Sequence, residues 1–415
     1  MSEDNLKIQR NLWENPWGYV ESFFIGFGLM VTGFFLEVFV VSDTPFTVAY
    51  PYNIIFLVGY VALLVVLYKW FSNTQIIKWL TKVPASISSI SLVTLLVMVM
   101  GIIPQVASES NFINNLGLNR ITRNWAFLLI LFQFLTCLGL ISIKRILQFR
   151  WSNVGFILNH IGLFLALIAG MLGTGDLQRL SINTYEGKPS WIATDVQKNQ
   201  VELPFAFYLK DFVIDEYPPK LALIDNITGT IVHNNGKNLY LVEKGETYYF
   251  QNFEVKVIDF LASAGRIGER YYPVNELGSP PAAKILVKNI ETDSIKDAWI
   301  SSGSFSQPYE SLKISDKYSM VMTIPEVKKF SSDIDILTKE GERISTVLEV
   351  NKPFKFKGYK IYQLSYDDKM GKWSNLSVLE LVRDPWLPVI YIGIFMMIAG
   401  AIYMFWMGNK ITKNQ

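Results

Sequence analysis

One apolar run constrains this chain more than any other feature. Residues 154–173 read VGFILNHIGLFLALIAGMLG and are apolar apart from Asn159 and His160. A run of this length can cross a bilayer as a helix. His160 is one of two histidines in the 415 residues. An ionisable side chain at that depth is costly, so His160 is the first candidate for a functional residue. The alternative is that it bonds only to a neighbouring helix or to a water molecule.

Five other segments are also apolar and long enough to be membrane helices, and the residues between the last two of the six segments are mostly polar. The sequence therefore predicts an integral membrane protein with six transmembrane α-helices. We expect a membrane domain over 1–175, a separate domain over 176–384, and a C-terminal transmembrane helix with a tail over 385–415. Glu37, near the outer end of the first segment, is expected to be solvated at the headgroups. The five segments are about 18–41, 52–68, 87–103, 125–143 and 386–407.

Loop charges predict which side of the membrane each segment faces. With the N-terminus inside, ten Lys or Arg residues lie on inner segments and two, Arg120 and Arg123, lie on short outer loops. This asymmetry follows the positive-inside rule. We therefore expect a multi-pass membrane protein with both termini inside and residues 176–384 outside. The ten inner charges are Lys7, Arg10, Lys69, Lys78, Lys82, Lys144, Arg145, Arg150, Lys410 and Lys413.

The outer region has the sequence pattern of β-strands. Five stretches are short and rich in β-branched and aromatic residues, and turn signals such as NNG and GSPP separate them. We predict a large extracytoplasmic all-β domain between the fifth and sixth helices, with two packed sheets as one arrangement. Residues 263–281 are expected to form a long exposed loop. The predicted strands are 253–260, 284–290, 318–324, 333–338 and 359–366.

Composition excludes several classes of function. The net charge of +2 gives no electrostatic case for nucleic-acid binding. Cys137 is the only cysteine, so the chain can form neither an internal disulfide nor a CxxC or CxxCH motif. Two histidines and one cysteine are too few for most metal sites and for triads built on His or Cys. We therefore assign no catalytic residue.

His160 has the surroundings expected of a metal ligand. An apolar setting disfavours the imidazolium cation and favours the neutral imidazole that haem iron requires. His233 lies at a predicted turn of the outer domain, where we expect an ordinary surface histidine that cannot meet His160 across the hydrocarbon core. A second histidine ligand would then come from another polypeptide. Methionines of this chain are the internal alternative, although methionine at such spacing usually serves packing. They are Met98, Met100 and Met171.

Four stretches of the chain resemble the ResB/CcsB family of System II cytochrome c biogenesis proteins. The most specific is the pattern DP-x-x-P-V-I-Y-x-G, which leads into the last apolar segment. Many family members have DPG where this chain has Asp384, Pro385 and Trp386, a departure that we take to be a subgroup feature. Residues 1–150 match by layout rather than by motif. The four stretches are NHIGLFLALIAGMLG (159–173), LPFAFYLKDFVIDEYPP (203–219), GYKIYQLSYD (358–367) and DPWLPVIYIGIFMMIAG (384–400).

The resemblance implies a function in haem delivery, as a non-catalytic or accessory subunit of a holocytochrome c synthase (haem lyase) complex. It also implies a multi-pass protein of the bacterial inner membrane, with both termini cytoplasmic and residues 176–384 periplasmic. ResB/CcsB proteins work with a CcsA/ResC partner to carry haem from the cytoplasm to the outer face, where it is joined to CxxCH cysteines of apocytochrome c. In fused members, a histidine from each part holds haem within the membrane, and His160 is the matching position here. The resemblance thus implies that His160 is an axial ligand of haem b iron, held or transported without covalent attachment. The expected partners are a CcsA/ResC-type subunit, apocytochrome c and membrane lipid.

Two other interpretations stay open. In the first, the chain is a non-catalytic membrane scaffold that docks apocytochrome or the partner subunit, and His160 only packs. The second, a small-molecule transporter, is disfavoured because the six segments show no evident internal repeat and only Asn159 and His160 are deep polar groups. A haem absorption band in the purified protein would separate haem binding from the scaffold interpretation.

Overall fold

The structure is a computed structural model that describes residues 12–40, 47–233 and 238–411. Three of the inner charges used to predict the orientation, Lys7, Arg10 and Lys413, lie outside the described residues. The side chain of Lys410 lies outside them as well. Internal contacts divide the chain into two units. Residues 1–177 and 384–415 form the helical unit, and residues 178–383 form the β unit.

The helical unit contains eight α-helices in its described part, six of which are long and apolar enough to cross a membrane. These six lie where the sequence predicts them, because each is an almost unbroken apolar run. The two others are short connections that the sequence did not indicate. The helices are α1 (Tyr19–Phe39), α2 (Tyr52–Phe71), α3 (Gln75–Leu80), α4 (Val83–Ile102), α5 (Asn111–Asn115), α6 (Trp125–Leu147), α7 (Val154–Leu172) and α8 (Leu387–Ile411).

Helix α6 lies at the centre of the helical unit. It packs against α1, α2, α4 and α7, and its span is 61 % buried, whereas those of α2 and α8 are 11 % buried. At its N-terminus the Asn124 side chain accepts a hydrogen bond from the Ala126 amide at 2.8 Å, which satisfies one of the free amides of the first turn. Large apolar faces of α2 and α8 remain exposed within the chain. Such faces suit contact with lipid or with another membrane protein.

Glu37 does not have the solvated carboxylate that the sequence led us to expect. Its side chain is 8 % exposed and forms a salt bridge in which Arg120 Nε lies 2.9 Å from Glu37 Oε1. The Trp125 amide, at the start of α6, also donates to Glu37 Oε2 at 3.2 Å. The side chain thus contacts both a cation and the positive end of a helix dipole. The expectation was wrong because Arg120 is 83 residues away in sequence.

The β unit is built from eighteen strands in the described part of the chain. All five predicted strands are confirmed, three of them with longer bounds. The strands are β1 (Gln178–Tyr185), β2 (Pro189–Asp195), β3 (Gln200–Glu216), β4 (Lys220–Asp225), β5 (Leu239–Leu241), β6 (Thr247–Phe250), β7 (Phe253–Leu261), β8 (Ala264–Ile267), β9 (Arg270–Pro273), β10 (Ala282–Asn289), β11 (Ile295–Ser301), β12 (Leu312–Lys313), β13 (Tyr318–Met322), β14 (Val327–Thr338), β15 (Arg343–Glu349), β16 (Phe354–Phe356), β17 (Tyr359–Tyr366) and β18 (Leu376–Arg383).

The largest sheet is antiparallel and brings the two ends of the β unit together. Its strand order is β15-β14-β3-β2-β1-β18-β17-β16. The first strand, β1, pairs with the last, β18, along its whole length, from Gln178 opposite Arg383 to Tyr185 opposite Leu376. The chain therefore enters and leaves the β unit at adjacent points, as expected of a domain inserted between two helices.

Two separate cores hold the β unit together. Strands toward both ends of the eight-stranded sheet contribute to one core, so the sheet curves onto itself. This core includes Phe207 on β3, Ile336 on β14 and Leu379 on β18. The second core lies between two four-stranded sheets, β11-β10-β7-β6 and β12-β13-β4-β5. Along β18, buried residues alternate with half-buried ones, which is the two-residue period of a strand with one face in the core.

The predicted loop at 263–281 is only partly a loop. Strands β8 and β9 form a hairpin within it, in which Ala264 pairs with Pro273 and Ile267 with Arg270. Tyr271 is 5 % exposed and contacts the ring of Trp299. The prediction failed because the glycines and charged residues of this stretch mask its strand pattern, and because Tyr271 is buried by a partner distant in sequence.

Candidate functional site

His160 lies in the first half of α7, about two turns from its start. It follows Asn153, the residue that precedes the helix, by seven positions, which corresponds to roughly 10 Å along the axis at about 1.5 Å per residue. The side chain is partly buried. The helix places His160 seven residues past Asn153, as the sequence predicts.

The imidazole of His160 is oriented by the backbone of its own helix. Its Nδ1 lies 3.0 Å from the carbonyl oxygen of Phe156, one turn earlier. A carbonyl oxygen only accepts, so Nδ1 carries the proton in this contact. In the neutral ring, the lone pair then lies on Nε2, for which the described residues provide no hydrogen-bond partner. A histidine held through one nitrogen, with the other free, is the form in which proteins present imidazole to a metal.

The ring of His160 is also stacked against an aromatic neighbour. Phe156 and His160 have ring centroids 3.6 Å apart and planes inclined by 23°. Arg145, in the last turn of α6, places its guanidinium carbon 5.2 Å from the centre of the Phe156 ring, within the range of a cation–π contact. The Arg145 Nε atom is buried without a hydrogen-bond partner in the described part of the chain. Arg145, Phe156 and His160 thus form a stack that joins α6 to α7.

The opposite face of α7 is fixed by close packing on α8. Gly155 and Gly162 of α7 lie against Gly400 and Gly393 of α8, so close that a methyl group on Gly162 would come within 2.5 Å of the Gly393 carbonyl oxygen. Small residues allow helix backbones to approach in this way. At about 100° per residue, His160 is turned about 200° from Gly162. The imidazole therefore lies away from α8.

A polar cluster holds the far end of α7. Asp176, just beyond the helix, accepts hydrogen bonds at 2.7 Å from the Tyr50 amide, the Asn53 side chain and the Trp386 indole. Trp386 is 6 % exposed and lies over Gly173, where a methyl group would come within 2.6 Å of its Cβ. The tryptophan in the DPW sequence therefore has a structural role, in joining α7, α8 and the start of α2. Sequence reasoning missed Asp176 and Asn53, although a polar residue at the end of each apolar run was a visible signal.

Each of the other candidate ligands has surroundings of its own. His233 belongs to the β unit, is exposed, and its Nδ1 is 2.7 Å from the side-chain nitrogen of Asn238. Met98 is 61 % exposed, and Met100 packs against the cluster of α1, α4 and α6. Met171 is eleven positions beyond His160 on the same helix, roughly 16 Å away. In the described residues there is no group of three or more His, Cys, Asp or Glu that could hold a metal ion.

The β unit contains a cavity of about 390 Å³ with aromatic walls. Phe305 and Trp373 meet edge to face across 5.8 Å, and the Lys372 ammonium lies 4.9 Å from the centre of the Trp373 indole ring. The adjoining loop is tight, since Gly303 has a φ of 66° and a methyl group there would come within 2.8 Å of the Tyr309 amide nitrogen. Part-exposed rings on such loops are common at binding surfaces.

The fold and these sites define a class of protein: a helical unit with six potential membrane spans and a large β-sheet domain inserted before the last of them. The model of the ResB-like family matches residues 305–376, which confirms the predicted resemblance to ResB over this part of the β unit. ResB-like proteins are involved in cytochrome c biogenesis. The matched segment includes the Phe305 and Trp373 walls of the cavity. No curated protein matches the chain.

Proposed function

We propose that this chain is a subunit of the System II cytochrome c maturation complex, which delivers haem across the membrane for attachment to apocytochrome c. In this proposal His160 is an axial ligand of haem b iron, and a CcsA/ResC-type subunit supplies the second ligand. The observation that carries the proposal is the contact of His160 Nδ1 with the Phe156 carbonyl at 3.0 Å. It leaves the lone pair of Nε2 available to bind a metal at a partly exposed face of α7.

The residues around His160 fit a haem ligand. Fixing Nδ1 sets the tautomer and limits ring rotation, which reduces the entropy lost when Nε2 binds a metal. The stack on Phe156 provides a flat apolar surface beside the ring. Bound haem would supply the iron that Nε2 ligates and the vinyl groups that later react with cysteine thiols. This chain's own contribution is to position the imidazole and to exclude water from one side of it.

We infer a second subunit from the position of the imidazole. Met171, eleven positions further along the same helix, is roughly 16 Å away, and α7 presents the imidazole away from α8. A six-coordinate haem iron takes two axial ligands from the protein. A histidine from a partner helix packed against this face would complete the pair.

The charge pattern supports an orientation for the complex. We propose that the six apolar helices cross the inner membrane with both termini cytoplasmic, which places the β unit in the periplasm. A topology reporter fused after Gln148 would then read cytoplasmic, and one fused after Thr230 would read periplasmic. The reverse pair of signals would overturn this orientation.

The haem proposal is tested by exchanging His160 and recording spectra of the chain co-purified with its partner subunit. We expect His160→Ala to remove most of the haem absorption while expression and membrane insertion persist, and added imidazole to restore part of it. His160→Cys should retain haem with an altered spectrum, because thiolate can ligate the iron. His233→Ala is the matched control and should leave the spectrum unchanged.

The same experiment separates haem binding from the scaffold alternative. A scaffold would hold the partner or apocytochrome without binding haem, and His160 would serve only the α6–α7 contact. In that case the His160→Ala complex would carry as much haem as the parent, with an identical spectrum. That result would overturn the ligand role and favour the scaffold.

A further inference from the structure

A cavity of about 340 Å³ lies in the helical unit where the segment before α1 meets the connection from α2 to α4. Asn15 and Trp17 line it from the first segment, and Asn73, Lys78, Trp79 and Lys82 line it from the second. By the loop charges, this is the cytoplasmic end of the helices. The cavity is far along the chain from the haem ligand and is separate from the stack of Arg145, Phe156 and His160.

The cavity carries positive charge that the chain does not neutralise. Lys78 and Lys82 are its two ionisable residues, and none of its described lining residues is acidic. Neither lysine forms an ion pair within the described part of the chain, whereas lysines of the β unit such as Lys210 and Lys329 pair with carboxylates at 2.7 Å and 2.5 Å. Two unpaired ammonium groups around one polar cavity attract an anion.

The floor of the cavity is rigid. Trp79 is 6 % exposed, and its indole nitrogen donates to Ser22 Oγ at 2.8 Å. The ring of Trp17 meets that of Trp79 edge to face, with centroids 5.6 Å apart, and its nitrogen donates to the Trp13 carbonyl at 3.3 Å. Because both indoles are held, the two lysines extend from a surface of fixed shape. The cavity is thus built before any ligand arrives.

Apolar side chains are exposed directly beside these cations. Trp70 and Phe71 end α2, Ile76 lies on α3 and Val83 begins α4, and each is at least half exposed. Along α3, Ile77 and Trp79 are buried within the helical unit, while Lys78 is exposed. A ligand that fits both features has an anionic head and apolar chains.

We propose that this cavity binds the phosphodiester headgroup of an anionic phospholipid from the cytoplasmic leaflet. Basic pockets between membrane helices on the cytoplasmic side recognise such headgroups, and lysine binds phosphate as a point charge. The Asn15 and Asn73 amides can hydrogen-bond the polar part of the headgroup, and the exposed apolar residues suit its acyl chains. The inference rests on the membrane topology proposed above and is independent of haem binding.

The test uses the full-length protein purified in a mild detergent, stripped of native lipid, and titrated with phosphatidylglycerol or phosphatidylcholine. Native mass spectrometry counts the bound lipids. We expect phosphatidylglycerol to bind in preference, and Lys78→Gln with Lys82→Gln to weaken its binding by about tenfold or more. Lys69→Gln with Arg150→Gln removes the same charge from outside the cavity and should change the affinity by less than about twofold.

Three outcomes would overturn the proposal. The first is equal binding of the two lipids. The second is an equal loss of phosphatidylglycerol affinity in the cavity variant, Lys78→Gln with Lys82→Gln, and in its control. The third is displacement of phosphatidylglycerol by inorganic phosphate at equal concentration, which would indicate a site for a free anion. Lys78→Arg with Lys82→Arg keeps the charge and should keep binding, so it separates lost attraction from misfolding. His160→Ala should retain lipid binding even if the haem proposal fails.

Discussion

The indole nitrogen of Trp386 donates to Asp176 Oδ2 across 2.7 Å, although 210 residues separate the two in sequence. The entire β unit lies between these two residues in the sequence, and the bond joins the end of α7 directly to the start of α8. Asn53 donates to the same carboxylate oxygen, also at 2.7 Å. The contact makes the two helices one packed pair although a domain is inserted between them.

Trp386→Phe tests this contact, since it keeps an aromatic ring over Gly173 and removes the donor. A hydrogen bond to a charged group contributes about 2 kcal/mol, so we expect a lower melting temperature in detergent. Trp406→Phe is the matched control on the same helix, because Trp406 is 69 % exposed. Equal melting temperatures for the two variants would show that the Trp386 hydrogen bond does not stabilise the unit.

The glycines of α7 provide a second comparison within one helix. A methyl group at Gly162 would come within 2.5 Å of the Gly393 carbonyl oxygen and 2.9 Å of the Met397 amide nitrogen, whereas Gly170 has open space around it. Backbone atoms cannot yield as a flexible side chain can. We expect Gly162→Ala to destabilise the α7–α8 pair by about 1–3 kcal/mol and Gly170→Ala to be neutral. Chemical unfolding in detergent followed by circular dichroism measures both, and equal effects would contradict the packing argument.

What the sequence could predict depended on how local each signal was. The six long helices and five strands were recognisable because apolar runs and alternation are properties of consecutive residues. The carbonyl that orients His160 is also local, since Phe156 is one turn away. Arg145 joins the stack only because α6 packs on α7, and Glu37 is buried because Arg120 folds back onto it. These partners are set by tertiary packing, and no pattern around His160 or Glu37 indicates them.

Acid should weaken the β unit through Asp335. This carboxylate is buried, and the Ser345 hydroxyl donates a hydrogen bond to it at 2.5 Å. This hydrogen bond and the positive charges of Arg343 and Lys210 lower the pKa of Asp335. Lys329 and Lys352 lower the pKa of Glu349 to about 2. Because the folded-state values lie below the unfolded ones of about 4, both groups stabilise the fold above about pH 4. The contribution of Glu349 is lost as pH falls toward about 2, and that of Asp335 is lost as pH falls through its lowered pKa.

The melting temperature of the β-unit signal, followed by near-ultraviolet circular dichroism, measures this pH dependence. Asp335→Asn should be less stable at neutral pH, because Arg343 loses its buried partner, and should lose less stability on acidification. Asp297 forms a surface pair with Lys284, and its side chain is 59 % exposed. Asp297→Asn removes this exposed carboxylate and should follow the parent curve. If Asp335→Asn has the same pH profile as the parent, Asp335 does not carry the acid sensitivity.

The aromatic cavity of the β unit provides the last prediction. Its Phe305 and Trp373 walls lie in the segment that matches the ResB-like family, and the Trp373 ring also contacts the Lys372 ammonium at 4.9 Å. If the β unit binds apocytochrome c, this surface is the best candidate, because aromatic side chains in partly buried pockets dominate peptide recognition. Trp373→Ala should weaken binding of an unfolded CxxCH-containing peptide by about 2 kcal/mol, or roughly thirtyfold.

Fluorescence anisotropy of a labelled peptide, with the full-length protein in detergent, measures this affinity. Trp191→Ala is the control, since Trp191 is 44 % exposed on β2 of the same unit and does not line the cavity. If the chain binds haem as proposed, the haem spectrum of each variant should match that of the parent, because both substitutions lie in the β unit. Similar peptide affinities for the two variants would exclude the cavity as the binding surface, and loss of haem from Trp373→Ala would assign Trp373 a role in the haem site instead.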